Sequence, residues 1–262
     1  MIFYFSGVGN SYYVARCLAE ELHENLYFIP KEITGSMSYK IKKGERLGFV
    51  FPCYGWGVPT FVEHFISKLN IEGQIDYLYF VTTCGDDTGM TSEIFCKDVE
   101  RKGWECKAGW AVIMPESYVC LPGFDVDNND KESDKLIAAR DRINKIIDDI
   151  LDQRNVFDTI PGPFKWIKSN IVRPFFNKYL INPRHFKTNK SCIGCGKCVN
   201  ACPYSNISLD NDSLPKWGDN CVQCLRCYHI CPQKAIEWGV FTAKKGQYTK
   251  MIVKDLLSQH LS

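Results

Sequence analysis

Eight of the fourteen cysteines in this chain of 262 residues form two copies of one pattern. Each copy has three cysteines separated by two residues, then a fourth after three more residues, directly before a proline. The first motif is Cys192, Cys195, Cys198 and Cys202, and the second motif is Cys221, Cys224, Cys227 and Cys231. This spacing is typical of the thiolate ligands of [4Fe–4S] clusters. The sequence therefore predicts two such clusters and a role in electron transfer.

The fourth cysteine of each motif is predicted to bind the cluster of the other motif, as in bacterial ferredoxins that carry two clusters. On this rule Cys231 completes the site of the first motif, and Cys202 completes that of the second. Zinc is the alternative, because paired cysteines at this spacing also form tetrahedral zinc sites. A zinc site closes with four ligands and has no use for the further Cys-Pro step, so the repeated pattern favours iron–sulfur clusters.

Composition excludes some other classes of function. The formal charge of +2 argues against binding to bulk nucleic acid, and the hydrophobic content of 45% is sufficient for packed cores. We find no apolar run long enough to span a bilayer. The first residues run into a glycine too early for a secretory signal, so we expect a cytoplasmic protein whose cysteines stay reduced. Nothing in the sequence sets the oligomeric state.

Residues 1–155 alternate short apolar runs with helical patterns, which is typical of βα units on a parallel sheet. The predicted strands are residues 2–5, 26–29, 47–51, 77–83 and 108–114, and the predicted helices are residues 11–23, 59–69, 91–102 and 131–154. Five parallel strands with helices on both faces form a doubly wound α/β sheet. Ligands bind such sheets outside the carboxyl ends of the strands.

Three loops follow predicted strands at that edge. Loop 1 is Ser6, Gly7, Val8, Gly9, Asn10 and Ser11; loop 2 is Pro52, Cys53, Tyr54, Gly55, Trp56 and Gly57; loop 3 is Thr83, Cys84, Gly85 and Asp86. Glycines before a helix let backbone N–H groups close around a phosphate, although a plain strand–helix turn is the alternative for loop 1. Tyr54 and Trp56 suit the two sides of a flat ring, although they are also compatible with an ordinary surface loop.

Loop 1 resembles the phosphate-binding signature of flavodoxins, which Ser6, Gly9, Asn10 and Ser11 match. The resemblance implies a flavodoxin-like sheet of order 2-1-3-4-5 and bound FMN, with loops 2 and 3 against the isoalloxazine. Val8 departs from the signature, which usually has threonine there. Because one neutral hydrogen bond contributes about 1 kcal/mol, the departure should weaken FMN binding without abolishing it.

The order of the parts resembles the EFR-type flavodoxin–ferredoxin fusion family over almost the whole chain. That resemblance implies a flavodoxin-like FMN domain (residues 1–155), a connector (156–187), a small α+β ferredoxin domain with two [4Fe–4S] clusters (188–245) and a tail (246–262). It includes residues 215–218 between the motifs and residues 235–239 after them. It fixes the cofactors better than the reaction.

The connector region is basic and aromatic. Residues 160–208 contain no aspartate or glutamate. Helical spacing is kept by Phe164, Ile167, Ile171 and Phe175, and Pro174 is predicted to kink or restart the helix. A connecting helix with solvated lysines is the plainest interpretation. A docking face for an acidic redox partner protein and a membrane-surface helix are the alternatives.

Two functions fit these features best, and a third, a redox sensor that signals to a partner, is compatible with the clusters but has no separate output domain to support it. The first is an electron carrier that passes electrons between the clusters, FMN and a partner protein. The second is an FMN-dependent reductase of a small molecule, with the clusters as internal wiring; residues 115–130 form a long segment that could roof its substrate pocket. Cys53 and Cys84 flank the predicted flavin as a conceivable redox pair, and His229 is expected to be a solvated loop residue.

Overall fold

The structure is a computed structural model that describes residues 1–250. In chain order its strands are β1 (Ile2–Tyr4), β2 (Leu26–Phe28), β3 (Ser38–Lys40), β4 (Arg46–Pro52), β5 (Asn70–Glu72), β6 (Tyr77–Cys84), β7 (Cys106–Ile113), β8 (Phe157–Asp158), β9 (Phe186–Thr188), β10 (Ile207–Leu209), β11 (Pro215–Trp217) and β12 (Ile236–Trp238). Six of them form a parallel sheet of order β2-β1-β4-β6-β7-β8. This α/β architecture is compatible with a flavodoxin-like fold.

The α-helices are α1 (Asn10–Leu22), α2 (Ile29–Glu32), α3 (Thr60–Lys68), α4 (Thr91–Glu100), α5 (Asn129–Leu151), α6 (Lys165–Ile167), α7 (Arg173–Phe175), α8 (Lys197–Ala201) and α9 (Arg226–Ile230). Helix α1 packs against α5, and α3 packs against α4. The two central strands, β4 and β6, are almost entirely buried. Their continuous apolar runs are typical of parallel strands that helices cover on both faces.

The five strands and four helices predicted for the first part are all present, with ends within three residues of the prediction. The sheet gains a sixth strand, β8, from residues that follow the predicted boundary at residue 155. Arg142 holds this strand in place, because its guanidinium donates to the carboxylate of Asp158 at 2.6 Å and to its backbone oxygen at 2.7 Å. A small side sheet of β3 and β5, also parallel, lies outside the main one.

The cysteine-rich part has two similar halves. Each half has a short helix that begins inside a cysteine motif, and these helices, α8 and α9, pack against each other. Two antiparallel ribbons, β9 with β12 and β10 with β11, complete it. Strand β9 starts at Phe186, so the last residues of the predicted connector belong to this part.

The two parts share packing. Tyr204, from the cysteine-rich part, lies edge-on to Phe61 of the first part, with ring centroids 5.9 Å apart. In the other direction, Val119 and Cys120 of the first part are fully buried within the core of the cysteine-rich part. The halves of the chain therefore form one continuous packed unit.

The connector stays helical through Pro174, where the sequence predicts a kink. Wide π-helical turns at Lys168–Val172 and Phe176–Leu180 lie on either side of α7, and a 3-10 turn follows at Pro183–His185. A wider turn accommodates a residue that lacks an N–H donor. The chain therefore passes through the proline without breaking the helix.

Several basic side chains of the connector pair with acids of the first part, contrary to the expectation that they are solvated. Lys165 pairs with Glu93 at 2.7 Å, Lys168 pairs with Asp87, and Arg173 pairs with Glu63 at 2.7 Å. These contacts fix the connector against the first part. Within residues 1–250, no helix is long and apolar enough to cross a membrane.

Gly109 of β7 tests the packing of the main sheet. A Cβ atom at this buried position would overlap the ring of Phe80. We expect Gly109→Ala to lower the free energy of unfolding by about 1–3 kcal/mol, the usual effect of overpacking, as measured by urea denaturation. Gly35→Ala is the matched control, because a Cβ there meets one backbone oxygen at an ordinary 3.5 Å. Equal effects of the two changes would contradict this packing.

Candidate cofactor sites

The eight motif cysteines line two small cavities, and each cavity takes its cysteines from both motifs. One is lined by Cys192, Cys195, Cys198 and Cys231, and the other by Cys202, Cys221, Cys224 and Cys227. The short helices α8 and α9 carry the chain from each motif across to the other cavity. We call these the first and second cysteine groups. Their membership is the crossed one that the ferredoxin rule predicts.

Backbone N–H groups point at the sulfurs that cross over. The N–H of Asn206 donates to Cys202 Sγ at 3.4 Å, and the N–H of Ala235 donates to Cys231 Sγ at 3.3 Å. Hydrogen bonds to cluster sulfurs are one of the features that set reduction potentials. No three His, Cys, Asp or Glu side chains in residues 1–250 converge closely enough to bind a single metal ion.

The two cysteine groups differ in their exposure. In the first group Cys195 is exposed, and its neighbour Ile193 is 64% exposed. In the second group Cys227 is buried, and the first part of the chain covers the adjoining loop. Cys198 of the first group is buried as well, but only the first group has an exposed cysteine, so it lies nearer the protein surface than the second.

Loop 1 forms a tight turn into α1. Gly9 has a φ of 97°, which glycine adopts readily, and it directly precedes the first residue of the helix. The N–H groups at the start of α1 have no partner within the helix. The hydroxyl of Ser6 accepts from the N–H of Gly9 at 3.0 Å, and the Ser11 hydroxyl lies 2.7 Å from that of Thr83. The loop thus places backbone donors and two hydroxyls around one point.

Asn10 serves a different purpose from the other residues of loop 1. Its side-chain nitrogen donates to the oxygen of Pro115 at 3.0 Å, and its side-chain oxygen accepts from the Tyr248 hydroxyl at 2.8 Å. Both ends of the amide are therefore engaged by other segments of the chain. The side chain of Asn10 holds those segments next to loop 1.

Loops 1, 2 and 3 meet at one central cavity of about 270 Å³. Fourteen of the sixteen residues predicted to bind the flavin line this cavity, and the two that do not are Gly9 and Gly57. The fourteen are Ser6, Gly7, Val8, Asn10, Ser11, Pro52, Cys53, Tyr54, Gly55, Trp56, Thr83, Cys84, Gly85 and Asp86. The volume is close to the lower end of the range for small-molecule sites, about 300 Å³. The predicted loops therefore build one concave site.

The aromatic residues of loop 2 are held by the connector. Trp56 has a positive φ of 62°, and its backbone oxygen accepts from the Ser169 hydroxyl at 2.7 Å. The ammonium of Lys168 lies 5.4 Å from the centre of the Trp56 ring, a cation–π arrangement. A Cβ atom on Gly55 would lie 2.8 Å from the Phe176 ring. The connector therefore forms one wall of the central cavity through Lys168 and Phe176.

Residues 115–128, which we call the roof segment, form another wall. Glu116, Ser117, Tyr118, Leu121 and Phe124 line the cavity from this side. The carboxylate of Glu116 accepts from the N–H groups of Ser117 and Tyr118 at 2.9 Å each, which locks the start of the segment. The long loop thus covers the cavity, in the place the sequence predicts.

The second cysteine motif supplies the remaining wall through Gln223, Cys224 and Leu225. Cys224 lines both this cavity and the cavity of the second cysteine group. The approach to loop 1 is close, because a Cβ atom on Gly7 would lie 2.6 Å from the backbone oxygen of Cys224. Leu225 also lines both cavities, so a thin wall made by Cys224 and Leu225 separates them.

Arg226 fastens this junction. Its side chain is 1% exposed. Its Nε donates to the oxygen of Gly7 at 2.6 Å, and one of its terminal nitrogens donates to the oxygen of Ser6 at 2.7 Å. The guanidinium also lies 5.9 Å from the centre of the Phe28 ring. A single side chain next to two motif cysteines thus holds the carbonyl groups at the start of loop 1.

His229 is fully buried, so the expectation of a solvated histidine is wrong. Its Nδ1 accepts from the N–H of Tyr248 at 3.0 Å, and its Nε2 lies 2.9 Å from the oxygen of Ser117, to which it donates. Burial lowers the pKa of His229 to about 4. The neutral imidazole therefore bridges α9, the roof segment and the residues before position 250.

Cys53 and Cys84 both line the cavity, but neither is prepared to react as a thiolate. Burial raises the pKa of Cys53 to about 11 and raises that of Cys84 well above its usual value. A thiol needs a lowered pKa to act as a nucleophile near neutral pH. The structure therefore gives no support to a redox pair at these positions.

Several polar atoms around the cavity are buried without a hydrogen-bond partner among residues 1–250. They are both side-chain amide atoms of Gln223, the hydroxyl of Tyr118 and one carboxylate oxygen of Asp87. Buried polar groups are nearly always hydrogen-bonded in folded proteins, so such atoms call for an explanation. Their position on one cavity indicates a ligand that carries polar atoms.

Comparison with known families places one region of the chain. Residues 191–236 match the family described as 4Fe-4S dicluster domain. This region, which contains both cysteine motifs, is therefore an iron–sulfur, metal-binding region of the kind used in electron transport. Comparisons with curated proteins and with solved structures found no match to the chain.

Sequence reasoning missed the residues that join the two parts: Arg226, Gln223, Leu225, Tyr248 and Lys168. Their roles depend on the docking of one part on the other, which no local pattern encodes. A comparison of the two motifs does contain a signal for Gln223 and Leu225, because the corresponding residues of the first motif, Gly194 and Gly196, are glycines.

Arg226→Leu tests the junction. It would leave the buried carbonyl groups of Ser6 and Gly7 without this donor, at a cost of about 1–3 kcal/mol for each group left unsatisfied. We expect a lower free energy of unfolding and faster amide hydrogen exchange in residues 6–11, measured by mass spectrometry. Arg184→Leu, at an exposed position, is the control and should change neither. Unchanged exchange in the Arg226 variant would show that the junction does not depend on this side chain.

Proposed function

We propose that this chain is an electron-transfer protein in which two [4Fe–4S] clusters and one FMN form an internal circuit. FMN would occupy a flavodoxin-like domain of residues 1–155, and the clusters would occupy a ferredoxin domain of residues 188–245, joined by the connector. The observation that most supports this proposal is that Cys224 lines both the cavity of the second cysteine group and the central cavity. A cluster and a flavin bound there would be direct neighbours.

The proposed cluster ligands are the first and second cysteine groups. Four cysteines around each cavity supply one thiolate for each iron of a cubane. The family match over residues 191–236 supports cluster binding, and the crossed composition of the two cavities supports this division of the cysteines between the clusters.

Loop 1 fits the phosphate of FMN. The N-terminus of α1 favours a negative charge and directs backbone N–H groups at it. The Ser6 hydroxyl accepts from Gly9, so its hydrogen is free to be donated to a phosphate oxygen. Ser11 lies at the start of the same helix. Val8 supplies no hydroxyl, and the backbone donors would carry more of the binding.

Loops 2 and 3 fit the isoalloxazine ring. Tyr54 and Trp56 supply aromatic surface, and Tyr54 lies in the same packed region as Cys224 and Tyr204. The buried polar atoms of Gln223 and Tyr118 would find partners on the polar edge of the ring. These residues would orient the ring, and the roof segment, the connector and the second motif would exclude water from it.

The arrangement supports an order of transfer. The first cysteine group lies nearer the surface than the second, and the central cavity adjoins the second. Bound FMN would exchange electrons singly or in pairs, whereas each cluster exchanges one. The protein would therefore convert between one-electron and two-electron transfer. An external donor or acceptor would meet the chain at the exposed edge of the first group.

We favour a carrier over a small-molecule reductase. The walls of the central cavity come from the connector, the roof segment and the second motif, so a ring bound inside would be covered from three directions. Two carboxylates that line the cavity are already engaged, because Asp87 pairs with Lys168 and Glu116 accepts from the N–H groups of Ser117 and Tyr118, which disfavours them as an acid or base for a substrate. In the proposed role a redox partner protein, rather than a small substrate, exchanges electrons with the chain.

The basic surface near the first group suits an acidic partner. Lys190 and Lys197 are exposed beside the first motif, and residues 160–208 contain no acidic side chain. Lysines around an electron entry point raise encounter rates with an acidic protein, and salt screens the effect. This supports entry at the first group.

The cofactor content tests the proposal. Anaerobically reconstituted protein should hold about eight iron and eight sulfide, as two cubanes require, and one FMN. Titration of flavin-free protein should show FMN binding more tightly than riboflavin, because loop 1 contributes through the phosphate. Equal affinity for the two would contradict the role of loop 1. Failure to bind either would remove FMN from the proposal and leave the clusters.

Paired substitutions test the crossed ligands. If Cys195 and Cys231 hold the same cluster, the double variant Cys195→Ser with Cys231→Ser should lose no more iron than either single variant and keep about four iron atoms. The double variant Cys224→Ser with Cys231→Ser should lose both clusters. Iron analysis distinguishes the two, and the reverse pattern would show that each motif holds its own fourth ligand.

A further inference from the structure

The two cysteine motifs share their cysteine spacing but differ at the residues between the cysteines, and at two of these positions the first motif has glycine where the second has a larger side chain. Aligned on their cysteines, Gly194 of the first motif corresponds to Gln223 of the second, and Gly196 corresponds to Leu225. The remaining framework of four cysteines and a following proline is the same in both. These two differences therefore indicate a role of the second loop that the first loop does not have.

All four positions adopt the left-handed backbone conformation. The φ angles are 64° at Gly194, 71° at Gly196, 51° at Gln223 and 59° at Leu225. Glycine adopts this conformation without steric cost, whereas side chains such as Gln and Leu are strained in it. The second motif thus accepts strain at two positions where the same fold is made with glycine in the first. Strained residues of this kind cluster at functional sites.

The two strained residues, Gln223 and Leu225, lie at the same cavity. Gln223 is 4% exposed and Leu225 is 5% exposed, and both line the central cavity together with loops 1, 2 and 3. In the first motif, a Cβ atom at Gly196 would meet no atom within 4 Å, whereas one at Gly194 would lie 2.8 Å from the Cβ of Ser213, so neither position faces a cavity of this size. The side chains are therefore present in the motif that faces the cavity and missing from the motif that does not.

Gln223 also lacks the partners that would explain its burial. Within residues 1–250, neither its amide nitrogen nor its amide oxygen has a nitrogen or oxygen partner. Its hydrogen-bonding interaction is with the Cys120 thiol, which is a weak partner. A buried amide with only a weak partner is costly, so a strained and poorly satisfied glutamine on the wall of a cavity indicates a polar ligand in that cavity.

We propose that Gln223 and Leu225 are flavin-positioning residues, in which the Gln223 amide hydrogen-bonds the polar edge of the isoalloxazine and Leu225 packs against the ring. This inference rests on the proposed binding of FMN and adds a contact that comes from the cluster loop. Because both residues flank Cys224, the same short loop then holds a ligand of the second cluster and touches the flavin. Occupancy of the two sites is thereby coupled.

Flavin titration of cluster-loaded protein under anaerobic conditions tests the proposal. We expect Gln223→Leu to raise the Kd for FMN by about three- to tenfold, as the loss of one hydrogen bond implies. The Kd for riboflavin should rise by the same factor, because the contact is to the ring. Gln153→Leu, at an exposed glutamine that is also left-handed with a φ of 50°, is the matched control and should leave both affinities unchanged.

Gln223→Gly separates a flavin contact from a structural role. Glycine relieves the left-handed strain, so this variant should keep its iron content and its midpoint of unfolding in urea while its affinity for flavin falls as in Gln223→Leu. Leu225→Gly should lower flavin affinity as well, but it should also lower the midpoint of unfolding, because Leu225 belongs to the core of the cysteine-rich part. Unchanged flavin affinity in these variants, with wild-type protein binding FMN normally, would overturn the inference and leave the proposed function intact. Wild-type protein that binds no flavin would overturn both.

Discussion

The buried guanidinium of Arg226 is the contact on which the rest of the arrangement depends. It sits between two cysteines of the second motif and donates to the carbonyl groups of Ser6 and Gly7, 219 residues and more away along the chain. A buried cation is stable only where its donors are satisfied. The docking of the cysteine-rich part is therefore specified at the start of loop 1, and the walls of the central cavity follow from it.

That docking gives the two similar cysteine motifs unequal surroundings. The first motif keeps glycines at its left-handed positions and presents Cys195 and Ile193 to the surface. The second motif has Gln223 and Leu225 at the corresponding positions and lies against loops 1, 2 and 3. Residues from the connector, the roof segment and Tyr248 complete the enclosure. The two similar motifs thus provide one site nearer the surface and one that adjoins the central cavity.

Local signals in the sequence predict much of this structure. Periodicity and turn residues predict the strands and helices of the first part, and the cysteine spacing predicts the iron–sulfur region that the family match shows. The sequence does not reveal that Lys168 and Arg173 of the connector pair with acids of the first part, nor that His229 is buried. Both features depend on contacts between segments that are far apart in the chain. Strand β8 was missed because two residues are too short a run to show alternation.

The central claim is that the second cluster and the flavin exchange electrons inside one molecule. Laser-flash reduction of the clusters in fully loaded protein, with an external photoreductant and detection of flavin absorbance, tests it most directly. Internal transfer predicts first-order flavin reduction whose rate constant does not change with protein concentration. A rate constant that rises in proportion to protein concentration would show that electrons pass between molecules, and would contradict the adjacency of the two sites at Cys224.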